Sequence, residues 1–381
     1  MTPPHGSPFA LFPLVVLACS CGSGSAASTA SSDAASPPAD SAVDTSAGDT
    51  SAGDSGTTMD AHADGPTSPK DASGADAGTP SCNVPFAATG PWCSELPASP
   101  PLASNSAAVV ANIQSDVKNN YGTFAINTDT YSSPVYTVPA GTPTANWSFD
   151  DCQNKGSLPP NFAPVLMNVP IEPGMVQSMG TDGEITIYDP AGDEEWEFWV
   201  AAQTNGQWSA CWGGTIQQVS KNPGIFPSGL GATATGLPLL GFVIRIDELQ
   251  AGVIRHTLNL ETVRTQAGVF SWPANRTDGN TAGADILMEG QRVRLDPTFD
   301  VTTLPNPAER TIAKAMQAYG MILTDTSGAV TMQAEDPRPY MAAHQTTTNP
   351  YDTIFAGTPS YSVLQDIPLS RLQVLAKDYG M

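Results

Sequence analysis

The sequence predicts a mainly β fold of the α+β type, in which a β-sandwich or jelly-roll-like domain carries two or three accessory helices. From about residue 82 onward, short apolar runs are separated by glycine, proline and asparagine, a pattern typical of sandwiches and barrels. The 381 residues include 34 glycines and 35 prolines, too few for a wholly low-complexity chain. No repeat of fixed long period occurs, so the pattern indicates one β-rich domain.

The first 18 residues are expected to be a secretory signal peptide. Residues 9–18 are apolar over a length too short to cross a bilayer and typical of such a signal. The run ends in VLAC (16–19), which resembles the lipobox of bacterial lipoproteins, so Cys19 is predicted to be lipidated. By resemblance to lipoprotein sorting signals, Ser20 favours the outer membrane. No Lys or Arg precedes residue 70, so plain secretion is the alternative.

Residues 19–81 are predicted to form a disordered tether. This segment is rich in Asp, Ser, Ala and Gly and lacks the apolar side chains whose burial would offset the entropy of ordering. Residues 82–381 are then predicted to be a single β-rich globular domain. The predicted localisation is the cell envelope, as an outer-membrane lipoprotein or a secreted protein, with membrane contact through the N-terminal lipid only.

The charge balance excludes one class of partner. Lys and Arg together number 15 against 37 Asp and Glu, which gives a formal net charge of −22 at pH 7. A polyanion would be repelled, so nucleic acid is not predicted as a partner. Motifs of serine esterases, nucleotide-binding loops and zinc proteases do not occur, and neither a cofactor nor a metal site is predicted.

Cysteine use agrees with export. The predicted globular part contains Cys82, Cys93, Cys152 and Cys211, which in an oxidising compartment most simply form two disulfides. Three connectivities are possible. We favour Cys82 with Cys93 and Cys152 with Cys211, because cysteines that are near in sequence close more readily.

Helices are predicted at three places. Residues 105–119 place apolar side chains three or four apart, the spacing of one helix face. The clearest helix follows Asn306, a residue type that caps helices, and ends near Gly320, which suits a left-handed terminus. Residues 370–376 are predicted to form a last short helix.

Strands are predicted through most of the remaining chain. The clearest pair is a hairpin, in which 184–188 and 196–201 flank a turn-rich loop. Further extended segments are predicted at 135–137, 145–149, 207–216, 242–246, 253–262, 269–272, 291–295, 321–325 and 329–334.

The most suggestive chemistry lies in the second strand of this hairpin. Alternation along the strand places Glu195, Glu197 and Trp199 on one face. Carboxylates two residues apart lie roughly 7 Å from each other, a separation that inverting glycosidases use to hold a water molecule. Trp199 beside them could stack against a sugar ring. The alternative is that these acidic residues form the solvated end of a hairpin.

Aromatic residues and one histidine give further candidates. Trp199 has three other tryptophans within 17 residues, and Trp272 follows later; flat apolar groups suit a sugar-binding surface, although core packing explains them equally well. His256 lies on the apolar face of a predicted strand, where a histidine is more often a satisfied core residue than a catalyst.

The order of short motifs in 185–338 resembles a family of secreted bacterial and fungal proteins. The matching motifs are ITIY (185–188), WEFW (196–199), WSACWGG (208–214), GATATGLPL (231–239), DELQAG (247–252), IRH (254–256), WPA (272–274), RVRL (292–295) and AYGMILTD (318–325). The resemblance implies that Glu197, His256, Tyr319 and Asp325 occupy recurring positions, and it implies no reaction. Where the family carries Asp-Arg-His, this chain has Asp-Gly-Glu at 182–184.

These observations together predict an exported, lipid-anchored protein that engages an extracellular or envelope polysaccharide. As a glycoside hydrolase or polysaccharide lyase, it would use Glu197 with His256 or Asp325 as acid and base. Trp199, Tyr319 and Trp272 would contact the substrate. The alternative is a non-catalytic surface lipoprotein that binds a glycan or a protein partner.

Overall fold

The computed structural model describes residues 82–227 and 229–381, and within these ranges the chain is mainly β, as the sequence predicts. The α-helices there are α1 (Ser106–Asn119), α2 (Ile246–Ala251), α3 (Pro307–Ala318), α4 (Pro337–Ala343) and α5 (Pro350–Ile354). The 3-10 helices are Ala163–Leu166, Val219–Lys221, Leu239–Gly241, Val301–Thr303 and Leu369–Arg371. The predicted signal peptide, Cys19 and the tether lie outside the described residues.

Fifteen strands occur in the same ranges. They are β1 (Ala125–Asn127), β2 (Val135–Thr137), β3 (Thr144–Ala145), β4 (Ser148–Phe149), β5 (Val169–Pro170), β6 (Ile185–Asp189), β7 (Glu194–Trp199), β8 (Ala202–Thr204), β9 (Gln207–Ala210), β10 (Trp212–Gln217), β11 (Leu258–Thr262), β12 (Arg292–Leu295), β13 (Met321–Thr326), β14 (Thr331–Gln333) and β15 (Leu372–Val374).

The largest sheet has six strands in the order β1-β14-β11-β13-β12-β15. The pairs β1–β14 and β11–β13 are parallel, whereas β12 is antiparallel to both β13 and β15. Side chains of α1 and α3, including Ile113 and Ile312, share one hydrophobic core with this sheet. The helices therefore cover one face of the sheet, as helices do in α+β folds.

A second sheet has four strands in the order β10-β7-β6-β2. Its centre is the predicted hairpin, in which β6 and β7 pair antiparallel with Ile187 opposite Trp196. A three-stranded sheet, β4-β9-β8, and the pair β3–β5 complete the strand pairing. The apolar residues of β6 and β7 belong to a second hydrophobic core, which also includes Trp147 and Trp208.

The two cores lie on opposite faces of the six-stranded sheet. Along β13, Met321 and Leu323 belong to the helix-side core, and Ile322 between them belongs to the second core. Successive strand side chains point to opposite faces, so β13 separates two apolar layers. This gives a sandwich-like arrangement, and it leaves every strand near the centre of the large sheet covered on both faces.

Helix α3 confirms the predicted capping pattern. The Asn306 side chain accepts a hydrogen bond from the Ala308 N–H at 2.9 Å, and Pro307 occupies the first helical position. Gly320 follows with φ +74°, a conformation that glycine adopts without a steric penalty. The predicted helix 105–119 is confirmed as α1.

Other helix and strand predictions are wrong. The segment 370–376 forms a 3-10 turn and then β15, because Leu372 and Val374 alternate inward with period two instead of following a helical period. Among the described residues there are five α-helices instead of two or three, since the short helices α2, α4 and α5 carry too few turns to show a period. The segments 242–246 and 269–272 contribute only isolated bridges.

Both favoured disulfides are confirmed. Cys82 pairs with Cys93 and Cys152 pairs with Cys211, with Cα–Cα distances of 5.4 and 5.6 Å. Disulfides persist in oxidising compartments, so this chemistry is compatible with an extracellular protein. In the part of the chain that the structure describes, no helix has the length and apolar character needed to span a membrane.

Candidate functional site

Glu195 and Glu197 lie on the predicted strand, but they are fully buried, so for these two residues the solvated-hairpin alternative is wrong. Glu197 Oε1 accepts a hydrogen bond from the Leu240 N–H at 3.0 Å. Burial raises the pKa of Glu197 to about 8 and that of Glu195 well above its usual range. Glu197 therefore anchors the 3-10 helix at Leu239–Gly241 inside the fold.

His256 pairs with a different partner, away from these strands. Its Nε2 lies 3.1 Å from Glu248 Oε2, and its Nδ1 lies 2.9 Å from the Thr257 carbonyl oxygen. Burial alone would lower the pKa of His256, but the adjacent Glu248 carboxylate raises it above its usual value. Glu248 also accepts a hydrogen bond from Asn83 at 2.8 Å. Glu248, which lies in α2, therefore binds both His256 and Asn83.

Most of the clustered tryptophans belong to the core. Trp147 stacks on Phe198 and on Trp208, with ring centroids 4.1 and 4.7 Å away. Trp196 is 5% exposed and also packs in this core. The core-packing alternative therefore describes these residues, whereas Trp199 stays partly exposed at the end of β7.

The other two predicted substrate contacts lie in different surroundings. The backbone N–H of Trp272 donates to Asp378 Oδ1 at 2.9 Å, and the backbone N–H of the neighbouring Ser271 donates to the Glu289 carbonyl oxygen. Tyr319 is the C-cap of α3, and its hydroxyl donates to Glu95 at 3.3 Å. Trp272 is thus near Glu289, and Tyr319 forms part of a helix terminus.

Asp325 lies near the end of β13, where several carboxyl groups meet. It is the registered partner of Glu261 across the β11–β13 pair. One ligand atom each of Asp278, Glu289 and Asp325 lies within 4.8 Å of the others. Burial and the Asp278 carboxylate raise the pKa of Asp325 to about 7 and that of Glu289 to about 9. We call Asp278, Glu289 and Asp325 the carboxylate cluster.

A cleft opens at the end of β7. Its volume is about 420 Å³, and Ser178, Gly183 and Val200 are among its lining residues. The backbone N–H groups of Val200 and Ala201 donate to the carbonyl oxygens of Asp182 and Gly183 at 2.7 and 2.9 Å. These bonds hold the segment 182–184 directly against the end of β7.

Asp182 and Glu184 are the sequence neighbours of Gly183, which lines the cleft. The Trp199 indole N–H lies 3.4 Å from Asp182 Oδ1, at the limit of hydrogen-bond distance. Glu184 is 7% exposed, and its Oε2 has no hydrogen-bond partner among the described residues. Burial, and then the nearby Asp182 carboxylate, raises the pKa of Glu184 well above its usual range.

Electrostatic interactions link Glu184 to the predicted residues. The carboxylates of Glu261, Asp325 and Glu197 all act on its pKa, in that order after Asp182. Glu184 therefore interacts electrostatically with two of the three residues predicted to be catalytic, Glu197 and Asp325. His256 does not join them, since its charged neighbours are Glu248 and Arg245.

Sequence reasoning did not single out Glu184, Glu261, Asp278 or Glu289 as functional residues. Glu184 enters the sequence motifs only through the departure at 182–184, and Glu261 lies in the predicted strand segment 253–262. A usable signal existed for Glu261, since a glutamate within the continuous strand of β11 is buried whenever both faces of its sheet are covered. No local pattern connects Asp278 and Glu289 with Asp325, which is distant in sequence.

Comparisons with protein-family models, curated proteins and solved structures returned no match for this chain. The site is therefore interpreted from its geometry and chemistry.

Proposed function

We propose that this protein is exported and engages an extracellular or envelope polysaccharide in the cleft beside Asp182, Glu184 and Trp199, where it cleaves the glycan. The observation that carries the proposal is Glu184, a buried carboxyl group with an oxygen that has no partner among the described residues, whose backbone N–H donates to the cleft residue Ser178. Buried titratable groups with raised pKa values in a cleft are characteristic of catalytic sites.

Two carboxyl groups in unlike surroundings suit acid and base catalysis. Burial raises the pKa of Glu184 and so favours its protonated form, which would protonate the leaving glycosidic oxygen. Asp182 is partly exposed and serves as the carboxylate that takes a proton from the attacking water. The glycosidic C–O bond breaks, the hydroxide of that water joins the anomeric carbon, and the leaving group departs with the proton from Glu184.

Trp199 supplies the surface for a sugar ring. Its indole is partly exposed at the end of β7, and its N–H points towards Asp182. A flat apolar face beside carboxylates is suited to a pyranose, which has one apolar face and a rim of hydroxyl groups. The geometry favours Glu184 over Glu197 as the acid, because Glu197 is held by backbone amides.

A panel of plant, algal and bacterial glycans tests this proposal. Purified protein is assayed for new reducing ends, which report hydrolysis, and for unsaturated products, which report elimination. We expect Glu184→Gln and Asp182→Asn to lower kcat by roughly 10²- to 10⁴-fold, since each removes a proton-transferring group. Glu195→Gln, which changes a buried carboxyl on β7 that the proposed chemistry does not use, should retain activity.

Four outcomes would count against the proposal. Absence of product across the panel would rule out the proposed glycan-cleaving activity. Binding on a glycan array without product would support the non-catalytic alternative. Equal loss of activity in Glu195→Gln and Glu184→Gln would indicate a structural role for Glu184. Recovery of the full chain only from the cytosol, with none in the envelope or the secreted fraction, would contradict the proposal that the protein is exported.

A further inference from the structure

The carboxylate cluster brings together three distant parts of the chain. Asp278 lies in the long connection between β11 and β12, and Glu289 lies just before β12. Asp325 is the second-to-last residue of β13. One ligand atom of each residue lies within 4.8 Å of the other two. Three formal negative charges at such short separations repel one another strongly unless protons or a cation compensate them.

Within the described ranges, two oxygens of the cluster have no hydrogen-bond partner. Glu289 is 0% exposed, and its Oε1 has no hydrogen-bond partner among the described residues, whereas its Oε2 accepts from the Asp278 N–H at 3.1 Å. Asp278 Oδ1 is likewise buried and unpartnered within the described part of the chain. Burying unpaired carboxylate oxygens is costly, so a ligand that bonds them would be strongly favoured.

The surrounding backbone holds the third carboxylate in place. Asp325 Oδ2 accepts a hydrogen bond from the Ala234 N–H at 3.1 Å, and Oδ1 accepts from the Thr326 N–H at 2.8 Å. Arg276 donates to the carbonyl oxygens of Ala234 and Gly229, which fixes the loop that carries this amide. The three acidic side chains are thus positioned before any ligand binds, which lowers the entropic cost of binding.

We propose that Asp278, Glu289 and Asp325 form a binding site for a hard divalent cation, and specifically for calcium. All the side-chain ligands are carboxylate oxygens, which suit calcium, magnesium or manganese and not the softer metals. Calcium binds oxygens at about 2.3–2.6 Å in a flexible geometry, whereas magnesium demands a near-ideal octahedron and gives up its water ligands reluctantly, so a cluster of three protein carboxylates favours calcium. Asp278 and Asp325 are partly exposed, and Glu289 is buried.

This inference goes beyond the proposed function, because cation binding is measured without any glycan. The test is isothermal titration calorimetry of the full chain, freed of metal with a chelator, against calcium, magnesium, manganese and zinc. We expect calcium to bind with a Kd on the order of 10⁻⁴ M or tighter, as in extracellular calcium modules. At a hundredfold excess over Kd, the Tm should rise by about 4 °C.

Variants distinguish the cluster from weak binding elsewhere on an acidic chain. Asp278→Asn and Glu289→Gln should each weaken calcium binding at least about tenfold and abolish the rise in Tm, because each removes a charged ligand. Glu195→Gln is the matched control: it changes a fully buried carboxyl with two unpartnered oxygens that lies outside the cluster, and it should bind calcium like the wild type.

The outcomes decide the inference in both directions. Calcium binding that is lost in the cluster variants and kept in the control supports it. Absence of binding by every cation, or binding that survives in both Asp278→Asn and Glu289→Gln, overturns it. Tighter binding of magnesium or zinc than of calcium overturns the assignment to calcium. If Glu289→Gln does not fold, as judged by circular dichroism, the partly exposed Asp278→Asn alone decides.

Discussion

Glu195 shows how a single strand position can combine two unfavourable features. Its side chain is 0% exposed, and neither carboxylate oxygen has a hydrogen-bond partner among the described residues. Alternation along β7 predicts that Glu195 and Glu197 share a face, and they do. Alternation cannot predict that this face is covered, because burial depends on what packs against the strand from elsewhere in the chain.

The buried carboxyl of Glu195 makes stability depend on pH. Its pKa is raised in the folded protein, so this carboxyl stabilises the fold only while it is protonated. The contribution of Glu195 to stability is therefore fully present below the unfolded-state pKa of about 4.5, and it is lost as the pH rises through the raised folded-state pKa. We expect the free energy of unfolding of Glu195→Gln to exceed that of the wild type at pH 8, and this difference to shrink as the pH falls towards 4.5.

Urea denaturation at the two pH values measures this difference. Glu194→Gln, at the next position of β7 but partly exposed, is the control and should show no comparable dependence on pH. A Glu195→Gln variant that is less stable than the wild type at pH 8 would show that the carboxylate is bonded in the folded state, and would contradict this interpretation.

At the scale of elements, the edge strand β10 contains two consecutive glycines, Gly213 and Gly214, where a loop packs closely against it. A Cβ on Gly214 would lie 2.6 Å from the Phe226 ring and 2.7 Å from the Gly231 backbone nitrogen. The Gly231 N–H donates to the Gly213 carbonyl oxygen at 2.9 Å. The loop around 226–231 therefore packs directly on β10, and only glycine leaves the room for it.

This packing predicts the effect of adding one methyl group. Gly214→Ala should lower the free energy of unfolding by about 2 kcal/mol, because the ring and the backbone of the loop must move. Gly328→Ala is the matched control: its Cβ would meet nothing within 4 Å, and its effect should stay within about 0.5 kcal/mol. Equal stability of the two variants, measured by urea denaturation, would contradict the close approach.

Elements with strong local signals could be predicted from the sequence, and elements without them could not. The hairpin β6–β7 and helix α3 carry period, turn and cap residues within a single segment. The 3-10 turn and strand at 369–374 do not, because β15 forms by pairing with the remote β12. Strand formation that depends on a distant partner leaves only a weak pattern in the strand itself.

At the scale of the whole molecule, the mainly β class and both disulfides could be predicted, but the site could not be assembled from sequence alone. Glu184 lies just before β6, Glu261 lies in β11 and Asp325 lies in β13. These strands become neighbours or interact only in the folded chain. Motif order pointed to Asp325, but also to His256, which forms a separate buried pair. Spacing along the chain cannot distinguish these cases, because it carries no information on which strands become neighbours.

The two proposals depend on the same property of the molecule, which is the concentration of carboxyl groups near the cleft and β13. Among the described residues, Glu184, Asp278 and Glu289 each bury there a carboxylate oxygen that has no hydrogen-bond partner. Such groups lower stability, and functional sites are the usual places where proteins retain them. The cleft and the carboxylate cluster are therefore the regions in which substitutions should affect function more than folding.

The most direct test of the central claim is the titration of Glu184 itself. In protein labelled with ¹³C at the glutamate carboxyl carbon, the signal that disappears in Glu184→Gln is followed from pH 3 to pH 9. We predict that this carboxyl group still carries its proton at pH 7, because it is buried beside other carboxylates. A signal that titrates near the ordinary glutamate value of about 4.5 would contradict the account.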